Sequence, residues 1–173
     1  MKDIDFGQWI DAYPDFPKSG ILFRDISPLL ANPMGMKLAK EKFCEVIDSW
    51  RADLIAGIDA RGFLFSTLVA DELGLGSLMV RKRGKLPGEL ISKNYELEYQ
   101  ENELAIQKNQ DIGDRTVVVI DDLLATGGTV RCAKELLESQ GAKVVGCIFV
   151  VELLSLNGNK EIDCPVFSLK KYD

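Results

Sequence analysis

Residues 117–129 read VVVIDDLLATGGT, and no other stretch limits the fold of this chain so strongly. Val117, Val118, Val119 and Ile120 form an unbroken β-branched run with no helical spacing and no polar interruption. A strand with one wet face would alternate apolar and polar residues. This one reads as buried on both faces, the situation of a central strand in a parallel sheet covered by helices. Asp121 and Asp122 then stand at its C-terminal end. Ala125, Thr126, Gly127, Gly128 and Thr129 follow as a turn of small side chains, and Val130, Ala133, Leu136 and Leu137 share one face of a helix that stops at Gly141. Such a strand, turn and helix gather free backbone N–H groups and a helix N-terminus around one concavity, which suits an anion. The paired carboxylates are placed to accept hydrogen bonds from a sugar that carries the anion. Strand and turn alone would also fit an ordinary βα junction with two solvated acids, but the acids, ATGGT and helix together are more specific. Neither a Gly-Lys-Ser/Thr phosphate loop nor a G-x-G-x-x-G dinucleotide fingerprint is present.

The rest of the chain alternates helical and strand patterns. Phe6, Trp9, Ile10 and Tyr13 have the spacing of a short amphipathic helix, and Asn32-Pro33 starts a second one through Ala39, Phe43, Val46, Ile47 and Trp50. Leu54–Ile58 reads as a strand, Asp59-Ala60-Arg61-Gly62 as a turn, and Phe65, Leu68, Val69 and Leu73 as a helix ending at Gly74. Ser77–Val80 is a further strand, the segment onward to Asp114 a long loop, and Val144–Val151 the final strand. This order predicts an α/β fold: a parallel sheet flanked by helices, with ligands at the C-terminal edge of the strands. At 173 residues and 46% hydrophobic content, the chain is expected to form one domain.

Charge and composition exclude whole classes of function. A formal net charge of −6 argues against nonspecific binding to nucleic acid or to an anionic membrane. No apolar stretch approaches a membrane span and the N-terminus lacks signal-peptide character, so a cytoplasmic location is expected. Histidine is absent, which removes Ser-His-Asp and Cys-His catalysis, histidine-ligated zinc and histidine general bases. Proton transfer falls to a carboxylate, a lysine, a tyrosine or the substrate, and any metal would be a hard cation on oxygen ligands, Mg²⁺ where phosphates are handled. Cys44, Cys132, Cys147 and Cys164 form no C-x-x-C pair and read as free, mostly buried thiols.

Three further segments carry polar residues at positions where a site would form. Phe16–Asp25, FPKSGILFRD, reads on its own as a surface loop returning to an edge strand. GIDARG, residues 57–62, ends a strand with Asp59 and Arg61 between glycines, a second polar βα turn on the same sheet edge. In RKRGKLPG, residues 81–88, the cations Arg81, Lys82, Arg83 and Lys85 cluster within an acidic protein. A charge run is usually a solvated face. This one leaves a strand end and enters a long segment ending in Tyr95-Glu96-Leu97-Glu98-Tyr99, as a lid over the site would.

In this order FPKSGILFRDISPLL, AGIDARGFLF, RKRGKLPG, YELEYQENELAIQK, VVVIDDLLATGGT and VELLSLNG resemble the type I phosphoribosyltransferases, in particular the branch that uses adenine, over nearly the whole chain. The resemblance implies a small N-terminal hood that reads the base at about residues 1–30 and a flexible lid at about residues 81–110. It implies transfer of a phosphoribosyl group from 5-phosphoribosyl 1-diphosphate to adenine in purine salvage, giving AMP and diphosphate, with Mg²⁺ held mainly by substrate and water. Ala125, Thr126, Gly127, Gly128 and Thr129 would hold the 5′-phosphate, and Asp121 and Asp122 the ribose hydroxyls. Asp59, Ala60 and Arg61, with a cis Asp59–Ala60 peptide, would face the diphosphate together with Arg81 and Lys85. Leu22, Phe23 and Arg24 would read adenine through the main chain. Glu98 would handle the proton at the purine, with Tyr99, Lys82 and Arg83 completing the lid. The resemblance also implies a homodimer. Ser66, Asn94, Gln100 and Asn159 stand where the family usually has glycine, serine, glycine and a basic residue. A 6-oxopurine phosphoribosyltransferase is the nearest alternative. A non-catalytic regulatory homologue is the other, and it would need a basic surface or an added DNA-binding domain.

Overall fold

The computed structural model describes residues 4–97 and 100–173. A 3₁₀ turn at Phe6–Trp9 precedes β1 (Asp11–Pro14) and β2 (Leu22–Asp25), followed by α1 (Ser27–Ala31) and α2 (Pro33–Trp50). Then come β3 (Leu54–Ile58), α3 (Gly62–Leu73), β4 (Gly76–Lys82), β5 (Leu90–Leu97), β6 (Gln100–Gln107), β7 (Thr116–Leu124), α4 (Gly128–Glu138) and β8 (Lys143–Leu153). Two 3₁₀ turns, Leu154–Leu156 and Gly158–Glu161, lead to β9 (Val166–Tyr172).

One seven-stranded sheet has the order β5-β6-β4-β3-β7-β8-β9, and β1 pairs with β2 in a separate ribbon. The strands from β4 to β9 across β3, β7 and β8 are parallel. At one edge β6 joins β4 antiparallel, and β5 joins β6 likewise. The uninterrupted apolar run in β7 follows from two cores, one on each face. Val117 and Val119 pack with Val130, Ala133, Leu136 and Leu137 of α4. Val118 and Ile120 pack with Phe43 and Ile47 of α2 and with Phe65 and Val69 of α3. Every position of the run is fully buried. α2 begins where Asn32 accepts a hydrogen bond from the Gly35 amide at 2.8 Å, with Pro33 at its first position, and ends in the left-handed Arg51.

The structure corrects several expectations. The helix expected through Tyr13 is only the four-residue 3₁₀ turn Phe6–Trp9. Phe6 and Ile10 are buried four positions apart, which mimics a helix, yet Ile10 is extended and Tyr13 pairs with Phe23 in the ribbon. Much of the expected loop through residues 81–110 is a β5–β6 hairpin, so the sheet is mixed, not wholly parallel. Among its described side chains only Leu104, Ala105 and Ile106 of β6 form a buried run, while the polar residues of β5 conceal a strand that lies at the sheet edge. Val144–Val151 is not the last strand, because β9 follows and pairs with β8. β7 also runs on to Leu124, so Asp121 and Asp122 lie within its last residues. Among the described residues no helix is long and apolar enough to cross a membrane.

Candidate active site

The first crevice forms where β7 meets α4. Asp121, Asp122 and the residues Ala125–Thr129 line a concavity of about 260 Å³, with Phe149 of β8 in its wall. Gly127 turns the chain with φ +85°, and a Cβ there would lie 2.5 Å from the Gly158 carbonyl oxygen. The loop is therefore pressed against the turn after β8, whose Gly158 is itself held close to the Ala125 carbonyl. Arg131 and Lys134 of α4 fix the same turn through Glu161 at 2.5 Å and Asp163 at 2.9 Å. Gly158 is a supporting residue that sequence reasoning missed, although VELLSLNG had marked its neighbourhood. Asn159, beside it, is exposed.

The second crevice is the Asp59–Gly62 turn between β3 and α3, and its Asp59–Ala60 peptide is cis. Gly62 lets this turn approach β7: a Cβ on it would fall 2.5 Å from the Ile120 carbonyl oxygen. Arg61 crosses the gap, its Nε 2.9 Å from Asp122 Oδ2. Buried Asp59 receives Arg81 Nε at 3.1 Å and Lys85 Nζ at 3.9 Å, and Arg81 also donates to the Lys85 carbonyl at 3.0 Å. Lys82 and Tyr95 close a cavity of about 320 Å³ above Asp59, Ala60 and Arg61. Arg83 is the exception among the four cations, turned outward onto Glu103 at 2.9 Å. Tyr95 went unremarked as a site residue because it lies in a polar stretch. It is buried, hydrogen-bonded to Thr129, and its phenol is pushed up by burial.

The electrostatics follow from this packing. Burial first, and then the charge of Asp122, raise the Asp121 carboxyl well above the ordinary carboxylate range. Burial also raises Asp122, against the opposing pull of Arg61. Asp121 Oδ1 accepts from the Asp122 amide at 2.9 Å. Two adjacent acids served, among the described residues, by Arg61 form a site short of positive charge and rich in acceptors, which suits sugar hydroxyls and a nearby cation. Among the described residues no three Asp, Glu, Cys or His side chains gather as a metal cage.

The ribbon places Leu22, Phe23 and Arg24 on β2. Phe23 stands 5.9 Å from the Arg61 guanidinium and edge-on to Phe16 at 5.2 Å. Both rings line a cleft of about 450 Å³ with Tyr13, Pro14, Asp15 and Asp25. Arg24 stacks its guanidinium on Tyr172 at 3.7 Å, which leaves its main chain, not its side chain, for a ligand at Phe23. Half-exposed Leu22 lies at the ribbon end. Asp25, which sequence reasoning passed over, accepts from the Ser27 amide and hydroxyl just before α1, and those bonds hold its carboxyl below its usual value. Ser66 is buried under the second crevice and receives a hydrogen bond from Ser77 at 3.1 Å, fitting there because Gly57 has no side chain. Glu98 and Tyr99 lie outside the described residues, so their placement in the site rests on sequence alone.

Residues 25–171 match the family model of the phosphoribosyl transferase domain. The chain is 46% identical over 172 residues to the adenine phosphoribosyltransferase of Gluconobacter oxydans (strain 621H), covering 99% of this chain and 96% of that protein. It is 47% identical over 170 residues to the Homo sapiens enzyme of the same name, covering 96% of this chain and 94% of that one. A solved Saccharomyces cerevisiae adenine phosphoribosyltransferase, complexed with an imino-altritol bisphosphate and adenine, superposes with TM-score 0.92 at 38% identity, over 95% of this chain and 96% of that chain. The Thermoanaerobacter pseudethanolicus structure gives TM-score 0.93 at 43% identity, over 96% of this chain and 98% of that one.

Proposed function

The chain belongs to the phosphoribosyl transferase family, within it to the adenine phosphoribosyltransferases, and from that premise we propose how its residues carry adenine and 5-phosphoribosyl 1-diphosphate to AMP and diphosphate. The observation that carries the reading is the Arg61–Asp122 pair at 2.9 Å, which joins a phosphate-sized loop and a cation-lined turn into one site. The amides of Ala125–Thr129 and the N-terminus of α4 bind the 5′-phosphate, with Thr126 and Thr129 adding hydroxyls. Asp121 and Asp122 accept from the ribose 2′- and 3′-hydroxyls. The diphosphate lies over Asp59–Arg61, where Arg81 and Lys85 are already held. Adenine enters at Phe23, read by β2 main-chain groups that match its N1 acceptor and 6-amino donor. A 6-oxopurine would leave those groups, once covered by the base, unpaired.

A purine ring nitrogen attacks the ribose anomeric carbon as the bond to diphosphate breaks. Positive charge grows on the ribose and negative charge on the leaving group. The carboxylates of Asp121 and Asp122 stand beside the first, and Arg61, Arg81 and Lys85 beside the second. The acceptor-rich carboxyls of Asp121 and Asp122 fit a site that takes Mg²⁺ together with the diphosphate, the ion being held mainly by substrate and water. Bound so, it would neutralise charge on the leaving diphosphate. Glu98 takes the proton released from adenine, and Tyr99 with Lys82 covers the site against water. We place this chemistry in one cytoplasmic domain that works as a homodimer. The test is AMP formation by the purified protein with phosphoribosyl diphosphate and Mg²⁺, comparing adenine, hypoxanthine and guanine. Turnover confined to adenine is expected, and turnover with a 6-oxopurine would overturn the base-reading assignment.

A further inference from the structure

Cys147 and Cys164 lie 17 residues apart in sequence, yet their sulfurs are 3.7 Å apart. Cys147 is buried in β8, and Cys164 is half-buried in the connection to β9. Strand pairing holds them together: the Cys147 amide donates to the Pro165 carbonyl at 2.9 Å, and Cys147 aligns with Val166. The connection is also anchored from the other side, where Lys134 of α4 binds Asp163. We propose that Cys147 and Cys164 are a peroxide-reactive dithiol that closes to an intramolecular disulfide. The chemistry is independent of transferase activity.

Several features favour this pair over the other cysteines. The hydrogen bond between the two sulfurs, with nearby Lys134, holds the Cys164 thiol below its usual value, while the same bond and burial hold Cys147 well above. Cys164 is the partly exposed member, so a small oxidant reaches it first. Its thiolate attacks one peroxide oxygen, forming an S–O bond as the O–O bond breaks and hydroxide leaves. The Cys147 sulfur then attacks the sulfenic sulfur, the S–S bond forms, and the S–O bond breaks with loss of water. The hydroxide takes up the proton that Cys164 released. Two thiols are oxidised by two electrons and one peroxide is reduced to two waters. Cys132, by contrast, is buried, pushed up to about 11, and bonded through its thiol to the Lys93 carbonyl. Burial likewise raises Cys44.

The test is brief exposure of the full chain to hydrogen peroxide, alkylation of the remaining thiols under denaturing conditions, proteolysis and mass spectrometry. The expected product is a peptide cross-link between Cys147 and Cys164, two hydrogens lighter and reversed by dithiothreitol, with Cys44 and Cys132 alkylated. Cys164→Ser should abolish the cross-link without creating another. Cys147→Ser, if it folds, should leave a sulfenic acid on Cys164 that dimedone traps. A cross-link between any other pair would overturn the proposal. So would sulfinic acid on Cys164 with Cys147 still alkylated, or four alkylated thiols after peroxide treatment.

Discussion

At the scale of single residues, the site is governed by two carboxylates and one guanidinium in close quarters. Arg61 and Asp122 belong to different crevices, and their contact at 2.9 Å makes each a test of the whole assignment. Arg61→Ala and Asp122→Asn should each lower kcat for AMP formation by about 10²- to 10³-fold, the scale of removing one preorganised electrostatic group. Far-UV circular dichroism should be unchanged, and near-normal kcat in both variants would remove these residues from the site. Asp121 yields a second prediction with a definite sign. Its folded-state carboxyl is raised, so its ionisation disfavours the folded state as pH climbs through the raised value. The stability associated with its protonated form is complete below the unfolded value of about 3.9 and is lost above the folded one. Asp121→Asn should therefore melt higher than the parent at neutral pH, and this advantage should shrink on acidification. A lower melting temperature at neutral pH would mean that the attraction of Arg61 and the Asp122 amide to a charged Asp121 outweighs the burial of that charge.

At the scale of elements, what could be read in the sequence depended on how strongly local chemistry dictates backbone form. Asn32-Pro33 announces α2, since a side-chain cap and a preset φ act within one turn. ATGGT and GIDARG announce the two crevices because only small residues let chain segments approach there, as the spaces around Gly62 and Gly127 show. The β5–β6 hairpin was hidden because β5 lies at the sheet edge and keeps polar side chains, so it carries little alternation. Tyr95 was hidden with it. β9 was hidden for a related reason: Lys170 and Lys171 interrupt a strand whose partner, β8, is remote in pattern though parallel in space. The loop geometry makes its own prediction. Gly127→Ala places a Cβ at φ +85° and 2.5 Å from the Gly158 carbonyl. It should raise KM for phosphoribosyl diphosphate at least several-fold and lower the melting temperature, whereas Gly84→Ala, with open space at its Cβ, should leave that KM nearly unchanged.

At the scale of the whole molecule, the two ligand classes would, by the proposed assignment, rest on parts of very different solidity. The phosphate loop and the diphosphate turn emerge from β7 and β3, central strands buried on both faces. The proposed base-reading strand belongs instead to a four-residue ribbon whose partner is exposed throughout. Its proposed role rests on the family resemblance alone, because FPKSGILFRD has the composition of any surface loop. Binding at the sheet edge clasps elements of both hydrophobic cores, so it should stabilise the entire fold by mass action, by about 2.7 kcal/mol at a ligand concentration a hundred times Kd. By the proposed assignment adenine alone would touch mainly the ribbon, and its site would be incomplete without the sugar. Thermal unfolding should therefore shift upward by several degrees with phosphoribosyl diphosphate and Mg²⁺, and by much less with adenine at the same concentration. Phe23→Ala should leave the first shift intact while raising KM for adenine several-fold. The reverse pattern, a large shift with adenine alone and a Phe23→Ala variant that loses the phosphoribosyl diphosphate shift, would show that the ribbon and the sheet edge form one binding unit and that the division proposed here is wrong.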